Sequence, residues 1–195
     1  MRSNPENFSL GTALLITIVF LFMQGCATTS ICTTRHVDDG ETIESVYYAY
    51  YFLDDLKDHY AEFDDHAALM YKTRRVIYKS EEQLFLGSLN SQNRLINQAK
   101  AEHLDYVLVV RQVEEESGYT STPDAFDNTS SIRITNDYRF RTFLYKVDSQ
   151  ELIWEATLSY KKISDSERKP FVRELSRNII SQLNKDGLLS IPTQQ

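Results

Sequence analysis

The chain has 195 residues, 42% hydrophobic and 25% charged, an ordinary globular composition with enough length for one sizeable core. Its formal net charge of −7 argues against phosphate-backbone binding, which needs clustered Lys and Arg to displace counterions, so nucleic acid is not an expected partner. With 6 glycines and no G-x-S-x-G, P-loop or G-x-G-x-x-G pattern, nothing marks a catalytic site or a cofactor.

Residues 1–12 are polar and contain Arg2. Residues 13–23, ALLITIVFLFM, form an uninterrupted apolar run. That length suits the core of a signal peptide and is short for a bilayer-spanning helix, which needs about 20 apolar residues. The run ends in Phe22-Met23-Gln24-Gly25-Cys26, which resembles the lipobox of bacterial lipoproteins. Gly25 supplies the small residue and Cys26 the sulfur, while Met23 and Gln24 depart from the commonest residues at their positions. The resemblance implies cleavage before Cys26 and diacylglycerol on its sulfur. Ala27, where Asp would signal retention at the inner membrane, implies the periplasmic face of the outer membrane of a Gram-negative host.

Residues 27–44 are rich in Thr, Ser and Asp without apolar periodicity. The reading is a leader over 1–25, a flexible lipidated tether over 26–44 and a single domain over 45–195. Cys32 is then a lone thiol in the tether.

Residues 46–56, VYYAYYFLDDL, fit two descriptions. The tyrosines favour a strand, but Ala49, Leu53 and Leu56 fit a helical stripe, and the expectation is a helix running to about Phe63. Residues 68–79 read as a strand on Val76, Ile77 and Tyr78. Residues 91–104 read as a helix with Ser91 as its N-cap and Leu95, Ile96, Ala99 and His103 at helical spacing. Residues 105–113, DYVLVVRQV, are the clearest buried strand, because Tyr106 through Val110 is continuously apolar. Residues 114–131 read as a polar insert that is mobile or a contact surface. Residues 132–147 and 152–161 form a hairpin around the turn Asp148-Ser149-Gln150-Glu151, with Leu152, Trp154, Ala156, Leu158 and Tyr160 on one face. Residues 169–185 form an amphipathic helix striped by Phe171, Val172, Leu175, Ile179, Ile180 and Leu183, with Pro170 in its first turn and Gly187 past its end.

These elements predict one α/β (α+β) domain: a mixed, mainly antiparallel sheet with packed helices and a C-terminal amphipathic helix. The order of residues 89–190, with Asp105-Tyr106-Val107-Leu108, Leu152-Ile153-Trp154 and Lys185-Asp186-Gly187-Leu188, is similar to small uncharacterised periplasmic lipoprotein domains. More distantly it is similar to the curli-secretion and penicillin-binding-protein-activator lipoproteins. Here His103-Leu104 replaces the usual small residue before Asp105, and Gln150 the usual Gly of the turn. The resemblance implies a fold and a compartment, and no catalytic residues.

The acidic run Asp54, Asp55, Asp58, His59, Glu62, Asp64, Asp65, His66 could place Asp55, Asp58, His59 and Glu62 on one helix face. Without an HExxH or EF-hand pattern it reads as a solvated face, and no metal is expected. His36, His59, His66 and His103 lack a local nucleophile signature. Trp154 reads as a core anchor rather than a ligand platform. Arg139, Arg141, Lys146, Lys161 and Lys162 read as a solvated sheet face. Tyr47, Tyr48 and Tyr51 are candidates for an exposed interaction surface, against the alternative that half of this segment lines the core. The expected function is therefore a membrane-anchored, non-enzymatic module that binds an envelope protein or assembles. The alternative is a carrier of a small ligand or lipid with a pocket between helix and sheet.

Overall fold

The computed structural model describes residues 29–36, 40–82, 89–123 and 130–189. The candidate lipidation site Cys26, and the leader before it, lie outside the described residues.

The elements follow in the order β1 (Thr29–Arg35), β2 (Ser45–Tyr51), α1 (Asp54–Lys57), α2 (Tyr60–Lys72), β3 (Ile77–Glu82), α3 (Leu89–Ala101), β4 (Tyr106–Pro123), β5 (Ser130–Lys146), β6 (Leu152–Ser164), a 3-10 turn and α4 (Arg168–Lys185). They build a single α+β domain around one sheet of order β1-β6-β5-β4-β2-β3. β2 pairs in parallel with both β3 and β4; the other neighbours are antiparallel.

The two faces of the sheet differ. On one, α2 and α4 cover a single cluster that includes Tyr48, Tyr50, Phe63, Tyr71, Leu108, Phe140, Trp154, Leu158 and Leu175. On the other, Leu95, Ile96 and Ala99 of α3 cover Tyr47, Ala49, Val107 and Val109. Because both faces are covered at β4, Tyr106 through Val110 are all buried, as their continuous apolarity requires. Phe143 and Tyr145 of β5 border this second cluster, which takes in no described residue of β6 or β1. Along these strands the second face carries Arg139, Arg141, Lys161 and Cys32, all exposed, and Glu155, Thr157 and Ser159, half-buried.

The C-terminal helix follows its pattern closely. Phe171, Val172, Leu175, Ile179, Ile180 and Leu183 are buried, and Leu188 and Leu189 fold back onto the core. Glu167 accepts a hydrogen bond from the Ser164 backbone N–H at 3.0 Å and a second from its hydroxyl, a serine and a glutamate three apart closing the helix entrance. Gly187 has φ 75°, the left-handed conformation that ends the helix without a Cβ penalty.

Five expectations are corrected. The tyrosine-rich segment is strand β2, not a helix: sandwiched between β3 and β4, it is buried on both faces, so its apolar residues show no period that a sequence could reveal. The helix lies further on, and the strand expected from residue 68 begins only at Ile77, after a turn in which Arg75 holds φ 59°. α3 starts at Leu89, so Ser91 is inside it, and His103 lies beyond its end, exposed and at φ 57°. Within the expected tether, Thr29–Arg35 form strand β1, which completes the backbone hydrogen bonding of β6 from Thr29↔Tyr160 to Arg35↔Trp154. The insert over 114–131 is largely two strand arms, since β4 runs on to Pro123 and β5 begins at Ser130.

Candidate functional site

The candidate surface tyrosines are not at the surface. Tyr47 is 2% exposed and Tyr48 0%, on opposite faces of β2, while Tyr51 at the strand end is half-buried. Tyr47 donates to Glu81 at 2.5 Å, and burial followed by that bond pushes its phenol pKa upward. Tyr48 packs its ring against Phe63, Tyr71 and Tyr78, at centroid distances of 5.8, 6.0 and 5.7 Å. Alternation along a strand forces this division: successive residues point to opposite faces, and both faces are covered at β2.

The interface between sheet and helices, where a carrier pocket would have to open, is occupied by rings. Phe52 meets Phe63 edge-on at 5.2 Å, Tyr71 stacks on Tyr78 at 5.3 Å, and Phe171 meets Tyr160 edge-on at 4.9 Å. The Tyr48 and Tyr71 hydroxyls are buried among them without a hydrogen-bond partner. An unsatisfied buried hydroxyl costs about 1–3 kcal/mol. Tyr48→Phe keeps the ring and removes the orphan oxygen, so it is expected to raise stability by about 1 kcal/mol, read as a higher urea midpoint at unchanged slope.

The acidic run does not make one face. α1 ends at Lys57 and α2 begins at Tyr60, so Asp58 and His59 sit in the break. Glu62 pairs with Lys169 of α4 at 2.7 Å, a bond that lowers its pKa, and Asp64 accepts from Tyr78 at 2.5 Å. His66 Nδ1 lies 3.2 Å from the Ser176 hydroxyl, and burial, with Arg177 and Arg173 nearby, lowers its pKa. Among the described residues no group of three or more His, Cys, Asp or Glu is placed to hold a metal ion.

Trp154 is fully buried, and its indole N–H donates to Asp186 at 2.7 Å. Arg35 donates to the Asp186 carbonyl, also at 2.7 Å, so the last turn of α4 is tied to both β6 and β1. The basic residues of the hairpin are spread out. Arg141 pairs with Glu155 at 3.5 Å and lies over the Phe143 ring at 4.8 Å, and Lys146 pairs with Glu41 at 2.5 Å. A shallow recess of about 150 Å³ is lined by Glu116, Asp137, Arg139, Ser159 and Lys161, too small and too polar for an acyl chain.

What remains exposed and chemically distinctive is the β1 edge of the sheet. Ser30, Ile31, Cys32 and Thr34 are exposed, Ile31 to 37%, and nothing from Thr29 to Thr34 is charged. The opposite edge, β3, carries Lys79, bonded to Glu102 at 2.5 Å, and Glu81, paired with Arg94 at 3.5 Å. Charged side chains are the usual protection of a sheet edge; β3 has Lys79 and Glu81 beside an Ile77 that is 60% exposed, whereas β1 has only Arg35, at its end. Sequence reasoning missed this surface because an edge strand exposed at most positions shows no alternation.

No protein-family profile matches the chain, and no curated protein matches it by sequence. Solved structures do share its fold. The PelC dodecamer from Paraburkholderia phytofirmans superimposes with a TM-score of 0.52 at 14% identity, over 80% of this chain and 97% of that one. A neuraminyllactose-binding hemagglutinin homolog from Helicobacter pylori matches with a TM-score of 0.46 at 9% identity, over 78% of this chain and 91% of that one. The resemblance of residues 89–190 to curli-secretion and penicillin-binding-protein-activator lipoproteins is not among these likenesses. At such identity, the PelC likeness establishes the α+β fold and nothing further.

Proposed function

We propose that the chain is a lipid-anchored envelope lipoprotein that acts without catalysis, as an assembly subunit whose β1 edge docks on another copy. The observation that carries this reading is the unguarded edge. β1 offers a row of outward backbone N–H and C=O groups, beside an exposed Ile31 and with no charge before Arg35 at its end, which is the surface that strand addition uses. The fold-sharing PelC structure is a dodecamer, which supports a repeated subunit as the use of this architecture. The resemblance at Cys26 supports an anchor that would hold copies in one plane and raise their effective concentration. The carrier alternative has less support, because aromatic side chains fill the core between helix and sheet and the recess of about 390 Å³ where Ala68 and Lys72 of α2 meet Val76, Ile77 and Tyr78 lies open to solvent rather than enclosing a ligand.

Ile31→Lys tests the edge. A lysine there is the device by which natural sheets prevent edge pairing. The detergent-extracted chain is expected to run as a multimer by light scattering and the variant as a monomer. The variant's folding stability should stay within about 0.5 kcal/mol, because the site is exposed. Identical masses for the two proteins would remove β1 as the docking edge.

A further inference from the structure

The hydrogen-bond phase of β1 decides how its outer edge can be used. The His36 backbone N–H donates to the Ile153 carbonyl at 2.9 Å, one step beyond the Arg35↔Trp154 pair. Bonded and non-bonded pairs alternate along an antiparallel ladder, and the register from Thr29 to Arg35 has no bulge. Thr34, Cys32 and Ser30 therefore turn their N–H and C=O groups toward β6. Ile31 and Thr33 turn theirs away from it, in phase with Thr29 and Arg35 at the strand ends. The side chains divide as well. Ile31 is level with Leu158, on the face that α4 covers, while Ser30, Cys32 and Thr34 are exposed on the other.

We propose that the surface on which β1 docks is β1 of a second copy, antiparallel and in register about a two-fold axis at Cys32. This deepens the assembly reading above and rests on it. A strand pairs with its own copy about an axis at a residue, never between two, because opposed residues must both turn their backbone groups outward or both inward. Strand β1 has 7 residues, so its midpoint is Cys32. An axis there pairs the whole strand. Ile31 meets the partner's Thr33, and Thr33 the partner's Ile31, each pair exchanging both N–H···O bonds. An axis at Ile31 or Thr33 slides the ends past each other and leaves part of each strand unpaired.

The side chains suit this occupant. Arg35 falls opposite the partner's Thr29, so the two arginines stand at opposite ends of the contact, about 20 Å apart, and no like charges meet. Ile31, 37% exposed in the single chain, becomes the diagonal neighbour of the partner's Ile31, beside Leu158. Docking on β3 instead would set β1 against Lys79 and Glu81, whose charges Glu102 and Arg94 already hold. The two-fold axis runs perpendicular to the sheet, so both Thr29 ends stand at one height along it, about 20 Å apart. Two acylated anchors then enter one leaflet with the sheet lying along it. An edge of 7 residues is a small interface, and a shared membrane raises the effective concentration of the copies.

The native thiol reads this register. Cys32 faces the partner's Cys32 as a non-bonded pair with Cα atoms about 4.5 Å apart, inside the range that a disulfide spans. The full chain, expressed with its leader, is extracted in mild detergent, oxidised with copper phenanthroline in air and run on a non-reducing gel. A covalent dimer is expected from the native chain and none from Cys32→Ser. With Cys32→Ser present, Ser30→Cys alone or Thr34→Cys alone sets like thiols about 14 Å apart, and neither is expected to cross-link. The two together are expected to cross-link, because position 30 faces the partner's position 34. A multimer that Ile31→Lys disperses, but that cross-links neither through Cys32 nor through the combined variant, overturns this inference and leaves β1 as the docking edge. Cross-linking by Ser30→Cys alone also overturns it, because the axis then lies elsewhere. A native chain that is monomeric by light scattering and does not cross-link overturns the assembly reading, and the inference with it.

Discussion

Trp154→Ala is expected to destabilise the fold by about 3–5 kcal/mol, measured by urea unfolding. Natural domains are stable by only about 5–15 kcal/mol, so the variant should sit near its unfolding threshold at 37 °C. The side chain is fully buried in β6, where it pairs with Arg35 on β1 and Leu144 on β5. Its removal leaves a cavity at the centre of the larger core and also deprives Asp186 of the indole N–H. Asp186 accepts from Arg35 as well, so the loss is expected to spread to β1, with faster amide exchange along Thr29–Arg35 than elsewhere in the sheet. Trp154→Phe keeps most of the volume and loses only the hydrogen bond. It should cost clearly less, about 1–2 kcal/mol, and the gap between the two variants separates packing from the Asp186 contact.

The elements legible in the sequence are those with a single reading of their period. β6 alternates, α4 carries one apolar stripe with a proline at its start and a glycine after its end, and the buried part of β4 is apolar without a break; each stands where its pattern places it. β2 was illegible for a physical reason. Two covered faces erase alternation, and chance spacing of Ala49, Leu53 and Leu56 then imitates a helix. The far arms of β4 and β5 were illegible for the opposite reason. Past Gly118 no third strand pairs with them, so their polar residues resemble a loop while their backbone remains a ladder. At Gln150 the departure from the expected glycine is visible in the backbone, which holds φ 60° there with a side chain attached. The candidate surface was misplaced because tyrosine serves cores and interfaces equally well. Only the count of covered sheet faces assigns Tyr47 and Tyr48 to the core.

Cys26→Ser is expected to abolish recovery in the outer-membrane fraction. On the proposed reading, a serine hydroxyl would not replace the thiol that takes diacylglycerol, and each buried methylene of such a lipid contributes about 0.8 kcal/mol to anchoring. An acidic domain gains little electrostatic attraction from an anionic leaflet, so nothing else in the chain should compensate for two lost acyl chains. Folding should be unaffected, because the substituted residue precedes the first strand. The corresponding control, Cys32→Ser, alters an exposed thiol on β1 and should leave both fractionation and stability unchanged.

The central claim, a lipid-anchored subunit that assembles with its own kind, is tested most directly by native mass spectrometry of the protein extracted from its membrane in mild detergent. The account predicts a chain that begins at Cys26, carries diacylglycerol, and flies as a multimer that dissociates into acylated protomers. A single unlipidated copy, or a chain still bearing residues 1–25, would contradict it.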